Sequence, residues 1–423
     1  MRYGSTGGWT AALTALVALA GPAAAQPAQT YDVPGRPAYT QIPNPLPTGN
    51  PGGHGFYTFG EALFLTQTRT LGDQTIAVRG LLDSTGIITG TPGTLIGSGF
   101  PALSTKDFPR QSWQPGFNIG AGVKLEDGTS IHFSYARLVS NTYHAGATLV
   151  PPFFRGSSDL SDTFLTAPVY NFPPQYAGPR YKTNFDDTNG DGTFDSLEGG
   201  NFYGIWNGAS VMDIRFDQWY QSSELGVTVP LFQTEYSRIY GLAGGRYTNF
   251  TDRFKWRTVS YDVTGGQAVF SGQGGALGGG QGGPRDAAEY NNTLTQRMYG
   301  AYVGCGHEAY LGHGFAAALD LTAAGYIDSE KERAKYKLQS EEIQNKQSRN
   351  ELRFVPSLTA NLNLMWYPVE GVQMRLGYNA YTYFNTKRIE DPVGFNYSSP
   401  DPVYDIQVFR IVHGVNVGIG LFF

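Results

Sequence analysis

The chain has 423 residues and a formal net charge of −5; only 15% of it is charged, while glycine (56), tyrosine (27) and phenylalanine (26) abound. A sparsely charged, slightly acidic chain has no general attraction for nucleic acid or acidic lipid, so nucleic-acid partners are set aside. Cys305 is the single cysteine, which excludes an intramolecular disulfide and a cysteine-rich metal site.

Arg2 precedes an apolar run centred on residues 11–20, then Gly21-Pro22 and Ala23-Ala24-Ala25. This is the layout of a secretory signal, residues 1–25, cleaved after Ala25. The run falls short of the ~20 apolar residues that a spanning helix needs, and no other stretch comes near that length. A membrane-bound form of this chain would therefore cross with strands. Residues 26–54 carry Pro27, Pro34, Pro37, Pro43, Pro45, Pro47 and Pro51 and read as an extended periplasmic leader.

From Gly55 the alternation of apolar and polar residues predicts ten strands, at about 55–66, 112–125, 129–140, 210–229, 236–250, 295–310, 315–328, 352–366, 372–386 and 411–423. The connections alternate in length. Glu126-Asp127-Gly128, residues 230–235, Gly312-His313-Gly314 and residues 367–371 are short and rich in turn formers. Those near 67–111, 141–209, 251–294, 329–351 and 387–410 are long and polar. An even strand count with short turns on one side and long loops on the other is the layout of an all-β, antiparallel up-and-down transmembrane barrel occupying 55–423, with short periplasmic turns and long extracellular loops.

The faces agree with this. Phe117, Ile119, Ala121 and Val123 alternate with Asn118, Gly120, Gly122 and Lys124, and Leu358, Ala360, Leu362 and Leu364 alternate with Thr359, Asn361 and Asn363. Trp366-Tyr367 at the turn side, and Trp113, Trp219-Tyr220, Tyr381 and Tyr383-Phe384 at the loop side, read as interfacial girdles. Strand 236–250 is ambiguous: Arg238, Tyr240, Leu242, Gly244 and Arg246 share a parity, it could run on through Phe254-Lys255-Trp256, and a slip there would raise the count to twelve. The final strand places Val415, Val417, Ile419, Leu421 and Phe423 on one face. Its terminal aromatic resembles the signal strand of bacterial outer-membrane barrels, which implies the barrel assembly machinery and outer-membrane lipid as partners and a periplasmic location for both termini. A soluble sandwich or propeller also alternates its faces but predicts neither the loop asymmetry nor that ending.

Three stretches, residues 113–138, Tyr240-Gly241-Leu242-Ala243-Gly244-Gly245-Arg246-Tyr247, and residues 354–358 continuing to Arg375-Leu376-Gly377-Tyr378, resemble beta-barrel porin family seven of bacterial outer-membrane proteins. The resemblance implies an outer-membrane barrel and a porin label, and supplies no functional residues.

One motif carries specific chemistry. Asp187, Asn189, Asp191, Thr193, Asp195 and Glu198 occupy positions one, three, five, seven, nine and twelve of a stretch with Gly192 at six, and resemble an EF-hand calcium loop. Pro179 and Gly199-Gly200 argue against the flanking helices, so the expectation is a Ca2+ ion ordering an isolated extracellular loop, against the plainer reading of a solvated acidic turn. The glycine-rich stretch 265–283 lacks the lysine of a phosphate loop and reads as a flexible connection. The charged run from Asp328 to Arg353 reads as a solvated loop, or less readily a surface helix.

Because some ten-stranded outer-membrane barrels are enzymes, Lys124, His132, Glu224, Glu308, Asp320 and Arg375 are weighed as interior groups. His132 shares a face with Ser130 and Ser134, but same-face neighbours on a strand stand roughly 7 Å apart and no acidic orienter is evident, so no catalytic residues and no enzyme activity are expected. The functional expectation is porin-like passage of small polar solutes past Lys124, Asn361, Asn363, Gln373, Arg375 and Asn379. Ten strands leave a narrow or plugged lumen, so the alternative is a non-conducting binding or structural barrel acting through its loops.

Overall fold

The computed structural model describes residues 55–83, 89–149, 164–171, 180–182, 201–203, 205–234, 236–259, 261–264, 267–270, 287–338, 343–369, 371–398, 402–404 and 407–423. Residues 1–25 and 26–54, expected as signal and leader, and the calcium-like loop 187–198 lie outside the described residues.

Ten strands form the wall: β1 (Gly55–Gln67), β2 (Gln114–Lys124), β3 (Ser130–Leu138), β4 (Val211–Gln233), β5 (Ser237–Val259), β6 (Ala287–Gly312), β7 (Phe315–Leu338), β8 (Ile343–Val369), β9 (Val372–Lys387) and β10 (Gln407–Phe422). Each pairs antiparallel with its sequence neighbours, and β1 pairs with β10 from Tyr57↔Phe422 to Gln67↔Val412, so the sheet closes on itself. An additional strand, Asn141–Thr148, pairs with the first residues of β4 and continues the wall beyond the end of β3. Among the described residues the ring count is ten, and β5 keeps one register against β6 throughout.

The turn end is set by local chemistry. Glycines at positive φ, Gly128 at 83° and Gly371 at 79°, permit tight reversals there, and Gly312 and Gly314 flank His313 at φ 53°. At the other end the strands overshoot. β4 to β8 have 23, 23, 26, 24 and 27 residues, which at ~3.3 Å per residue is roughly 75–90 Å of chain. A tilted strand crosses a bilayer in about 9–11 residues, so more than half of each stands beyond any membrane. Among the described residues, the loops expected at 251–294 and 329–351 are strand, and the charged run from Asp328 belongs to β7 and β8. Period two is present there: Glu330, Glu332, Ala334 and Tyr336 are buried inside, while Ser329, Lys331 and Arg333 are exposed. Charge on both faces hid the alternation.

In the turn half, outward positions are mostly apolar, with exceptions such as His307; Ile119, Phe133, Leu225, Val303, Leu321, Leu362, Leu376 and Val417 are all exposed. A continuous apolar belt of this kind is foreign to a soluble monomer. Rings border it at both edges, Phe315 stacked with Trp366 at 6.0 Å and Phe56 with Phe423 at 6.3 Å near the turns, Tyr247 with Tyr299 at 5.0 Å and Phe384 with Phe409 at 5.2 Å toward the loops. Four aromatics expected in these girdles turn inward instead: Tyr220, Tyr367 and Tyr383 are buried, and Tyr381 lines the lumen. Each follows or neighbours an outward residue, and adjacent side chains on a strand face opposite ways.

Candidate functional site

The lumen is divided into tiers by the residues that alternate inward. In the turn half it holds a polar cavity of about 250 Å³. Arg375 Nη1 donates to Glu61 Oε1 at 2.8 Å, and Asn118 donates to the other carboxylate oxygen at 2.9 Å. Arg246 Nε donates to Glu224 Oε2 at 2.8 Å, Tyr302 donates to Glu224 Oε1 at 2.6 Å, and His132 Nε2 lies 3.5 Å from that oxygen. Tyr240 donates to Asp320. Buried charges are tolerable when paired and hydrogen-bonded in this way. Two glycines make room: a Cβ at Gly306 would strike the Tyr240 ring and Asp320, and one at Gly226 would strike Tyr302 and His132.

Toward the turns the cavity has a floor. Lys124, Arg238, Glu308, Tyr367 and Gln373 are all buried. Gln373 Nε2 donates to the Tyr367 hydroxyl at 2.6 Å, and the Arg238 guanidinium lies 5.3 Å from the Tyr240 ring centroid.

Above the cavity a layer of apolar and aromatic side chains crosses the lumen. Leu63, Leu138, Tyr220, Phe250, Met298, Tyr326, Val355, Tyr383 and Val412 form one packed cluster, with one or more members from every strand except β2. Phe250, Met298, Tyr326, Val355, Tyr383 and Val412 are 0% exposed, covered on both sides of the layer. Phe250 meets Tyr383 edge to face at 5.1 Å and Tyr220 at 5.1 Å, distances typical of favourable ring pairs.

Two ionic tiers follow. Arg410 Nη2 donates to Asp252 Oδ2 at 2.6 Å, Thr70 donates to the same oxygen at 2.7 Å, and Gln296 donates to Asp328 at 3.0 Å. Beyond them Glu330, Glu332 and Glu351 bring carboxylate oxygens within 4.8 Å of one another, a grouping that resembles a metal site. Its centre is taken by the Lys387 ammonium, 3.3 Å from Glu330, 2.8 Å from Glu332 and 2.6 Å from Glu351. Burial opposes the charge on Lys387, but the hydrogen bonds to Glu332 and Glu351 outweigh it and raise its pKa. The same hydrogen bond from Lys387 lowers that of Glu351.

The loop half is filled by an apolar and aromatic core. Trp206, from the connection ahead of β4, packs on Trp256 at 4.9 Å and Tyr397 at 5.1 Å, and Tyr336 stacks on Tyr397 at 4.5 Å. Ile76, Leu103, Leu165, Ile389 and Tyr404, all from connections between wall strands, join the same cluster.

The sequence-derived lumen residues Asn361, Asn363, Gln373, Arg375 and Asn379 line the cavity, and Lys124 is buried beside it. His132 and Glu224, considered separately from the sequence, are brought together across β3 and β4, so an acidic neighbour that the sequence did not reveal is present. Among the described residues no hydrogen bond joins His132 to Ser130 or Ser134. Glu61, Tyr302 and the crossing layer were missed. A carboxylate on the face shared by Leu63 and Leu65 signalled Glu61; nothing local distinguishes an inward tyrosine that plugs from one that lines.

No family model and no curated protein matches the chain. Among solved structures, it is similar to the outer membrane protease OmpT from Escherichia coli, with 9% identity over 87% of this chain and 97% of that one at a TM-score of 0.37. The TodX deltaS2S3 monoaromatic hydrocarbon channel shares 9% identity over 90% and 92% at 0.24, and an anion-selective porin from Comamonas acidovorans 9% over 88% and 99% at 0.18. These are distant likenesses to outer-membrane barrels of unlike activity. The barrel itself is read from the strand register, and the resemblance to beta-barrel porin family seven carries no further than that.

Proposed function

We propose that this protein is a non-conducting outer-membrane barrel, anchored by its apolar belt with both termini in the periplasm, that holds a closed, loop-packed head at the cell surface. The apolar belt and its ring-bordered edges support the membrane reading. The observation that carries the closed reading is the layer of side chains at 0% exposure across the lumen. A passive channel needs a continuous wet path, and here that path meets first an apolar layer, then paired charges, then a core. The head is the part available for binding, and a Ca2+ ion held by Asp187, Asn189, Asp191, Thr193, Asp195 and Glu198 would serve to order a loop there. No chemistry is assigned to His132 and Glu224.

Passage of small polar solutes is the second reading, favoured by the polar cavity around Asn361, Asn363, Arg375 and Asn379. Planar-bilayer conductance separates the two. Folded protein is expected to give no discrete steps, with or without calcium; because the ionic tiers and the loop-half core stand beyond the apolar layer, the triple variant Phe250→Ala, Tyr326→Ala, Tyr383→Ala should stay silent too. Reproducible steps from the unaltered protein would overturn the closed reading.

A further inference from the structure

A net charge of −5 offered no attraction for acidic lipid, but the outward face of β3 to β7 has its own pattern. The strand register sets residues in rows across the wall. On β5 to β7, Tyr247, Tyr299 and Ile327 form the last apolar row of the belt, which on β8 runs on through Phe354 to Leu352. Two residues farther toward the loops the row reads Arg137, Gln221, Asn249, Arg297, Ser329. Next come Trp219, Thr251, Thr295 and Lys331, and after them Arg253, Thr293 and Arg333. Cations thus begin one row beyond the apolar edge and continue outward, through Lys255 and Lys335.

Nearby carboxylates are already committed. Asp217, which stands opposite Arg253, accepts from Arg215 Nε at 2.8 Å and from Thr142 at 2.7 Å, and Glu289 accepts from Asn291. Among the described residues no ion pair links Arg137, Lys255, Arg297, Lys331 or Arg333 to a carboxylate. Where β3 stops at Leu138 and the wall resumes at Asn141, a recess of about 190 Å³ opens, lined by Arg137, Trp219, Gln221, Asn249, Thr251 and Arg253. The Arg253 guanidinium lies 5.1 Å from the Trp219 ring centroid. Two guanidinium groups with amide and hydroxyl donors between them suit a phosphate, and the indole offers a flat apolar surface for what carries it.

Resting on the reading of the belt as membrane-embedded, we infer that this face binds anionic phosphate headgroups of the lipid layer in which the belt sits. Position selects the source: the cations point away from the lumen and adjoin the lipid-facing row, where a headgroup is held at high local concentration and a free anion is not.

The test uses full-length refolded protein in vesicles of phosphatidylcholine with a minor fraction of phosphatidate, extracted and examined by native mass spectrometry for retained lipid. Phosphatidate is expected to be retained over phosphatidylcholine, and Arg137→Gln with Arg253→Gln should lower that preference by about fivefold for each cation removed, the factor that one basic side chain contributes at an anionic surface. Should the recess variant lose its folded, SDS-resistant mobility, Lys331→Gln with Arg333→Gln on the exposed face of β7 tests the same point. Equal retention of both lipids, or a preference unchanged in variants that keep folded mobility, overturns the inference alone. So does displacement of all bound lipid by inorganic phosphate, which marks a free-anion site. Failure of folded protein to insert into any vesicle overturns the membrane reading and this inference with it.

Discussion

The two halves of the barrel solve one problem differently. Both must fill a lumen that ten strands leave too wide to close by backbone alone. The turn half fills it from the wall, with Glu61, Glu224, Arg246 and Arg375 reaching across a polar cavity. The loop half fills it jointly: Ile76, Leu103, Trp206 and Ile389, from connections, enter and pack against wall residues such as Phe254, Trp256 and Tyr336 as in a soluble core. The difference follows from what each half is surrounded by. Where the exterior must be apolar, the polar residues of an alternating strand can only face in, and they must find one another there. Where the exterior is polar, as at Lys331 and Arg333, the inward positions divide between paired charges and a greasy core.

If the halves are energetically separate, damage to one should spare the other. Trp206→Ala carries the largest expected effect, about 3–5 kcal/mol for a fully buried indole. Limited proteolysis should then cleave the connections while the turn half keeps its SDS-resistant mobility; loss of both together would show one cooperative unit. Lys387→Met comes next, at about 3 kcal/mol, because it leaves three carboxylates facing one another. The sign with pH is specific. In the parent, the lowered pKa of Glu351 gives stability that is present above its unfolded value near 4.5 and is lost as pH falls through the folded one. In the variant, acid protonates carboxylates that repel, so its deficit against the parent should shrink below about pH 5; a deficit constant with pH in denaturant titrations would remove Lys387 from the centre of the cluster. Smallest is Gly306→Val, which displaces Tyr240 from Asp320 and should cost about 1–3 kcal/mol, seen as a lower temperature for loss of folded mobility with the head still resistant to protease. Softening of the head would join the two halves.

Much of the wall was legible before the fold was known, and for one reason. A strand with an apolar exterior on one side and a polar lumen on the other must alternate, so Phe117 to Val123 and Leu358 to Leu364 announce both their structure and their faces. Legibility ends where the apolar belt stops. From Asp328 to Arg353 both faces carry charge, one solvated and one paired across the lumen, and the alternation of Lys331 and Glu332 looks like a loop when residues are sorted only as polar or apolar. The lumen residues Asn361, Arg375 and Asn379 were legible as inward. That Phe250, Tyr326 and Tyr383 meet over them was not, because the layer takes its members from nearly every strand, and local spacing says nothing of which strands share a level. The pairing of His132 with Glu224 is hidden the same way, across two strands separated by the longest connection in the chain.

The seam between β1 and β10 joins residues at opposite ends of the sequence, Gln67 against Val412 and Tyr57 against Phe422. Every other wall contact is between neighbours, so hairpins can form one after another as the chain arrives, while the seam waits for all of them. The entropy of that last closure grows only as the logarithm of the intervening length, and its cost is modest. Its timing is the hazard. Until it forms, two edge strands, each greasy on its outer face, stand open to pair with another copy. A chain interrupted anywhere before β10 would therefore be arrested as an open sheet, primed to aggregate, and a cell making this protein must shelter that intermediate for as long as the final strand is missing.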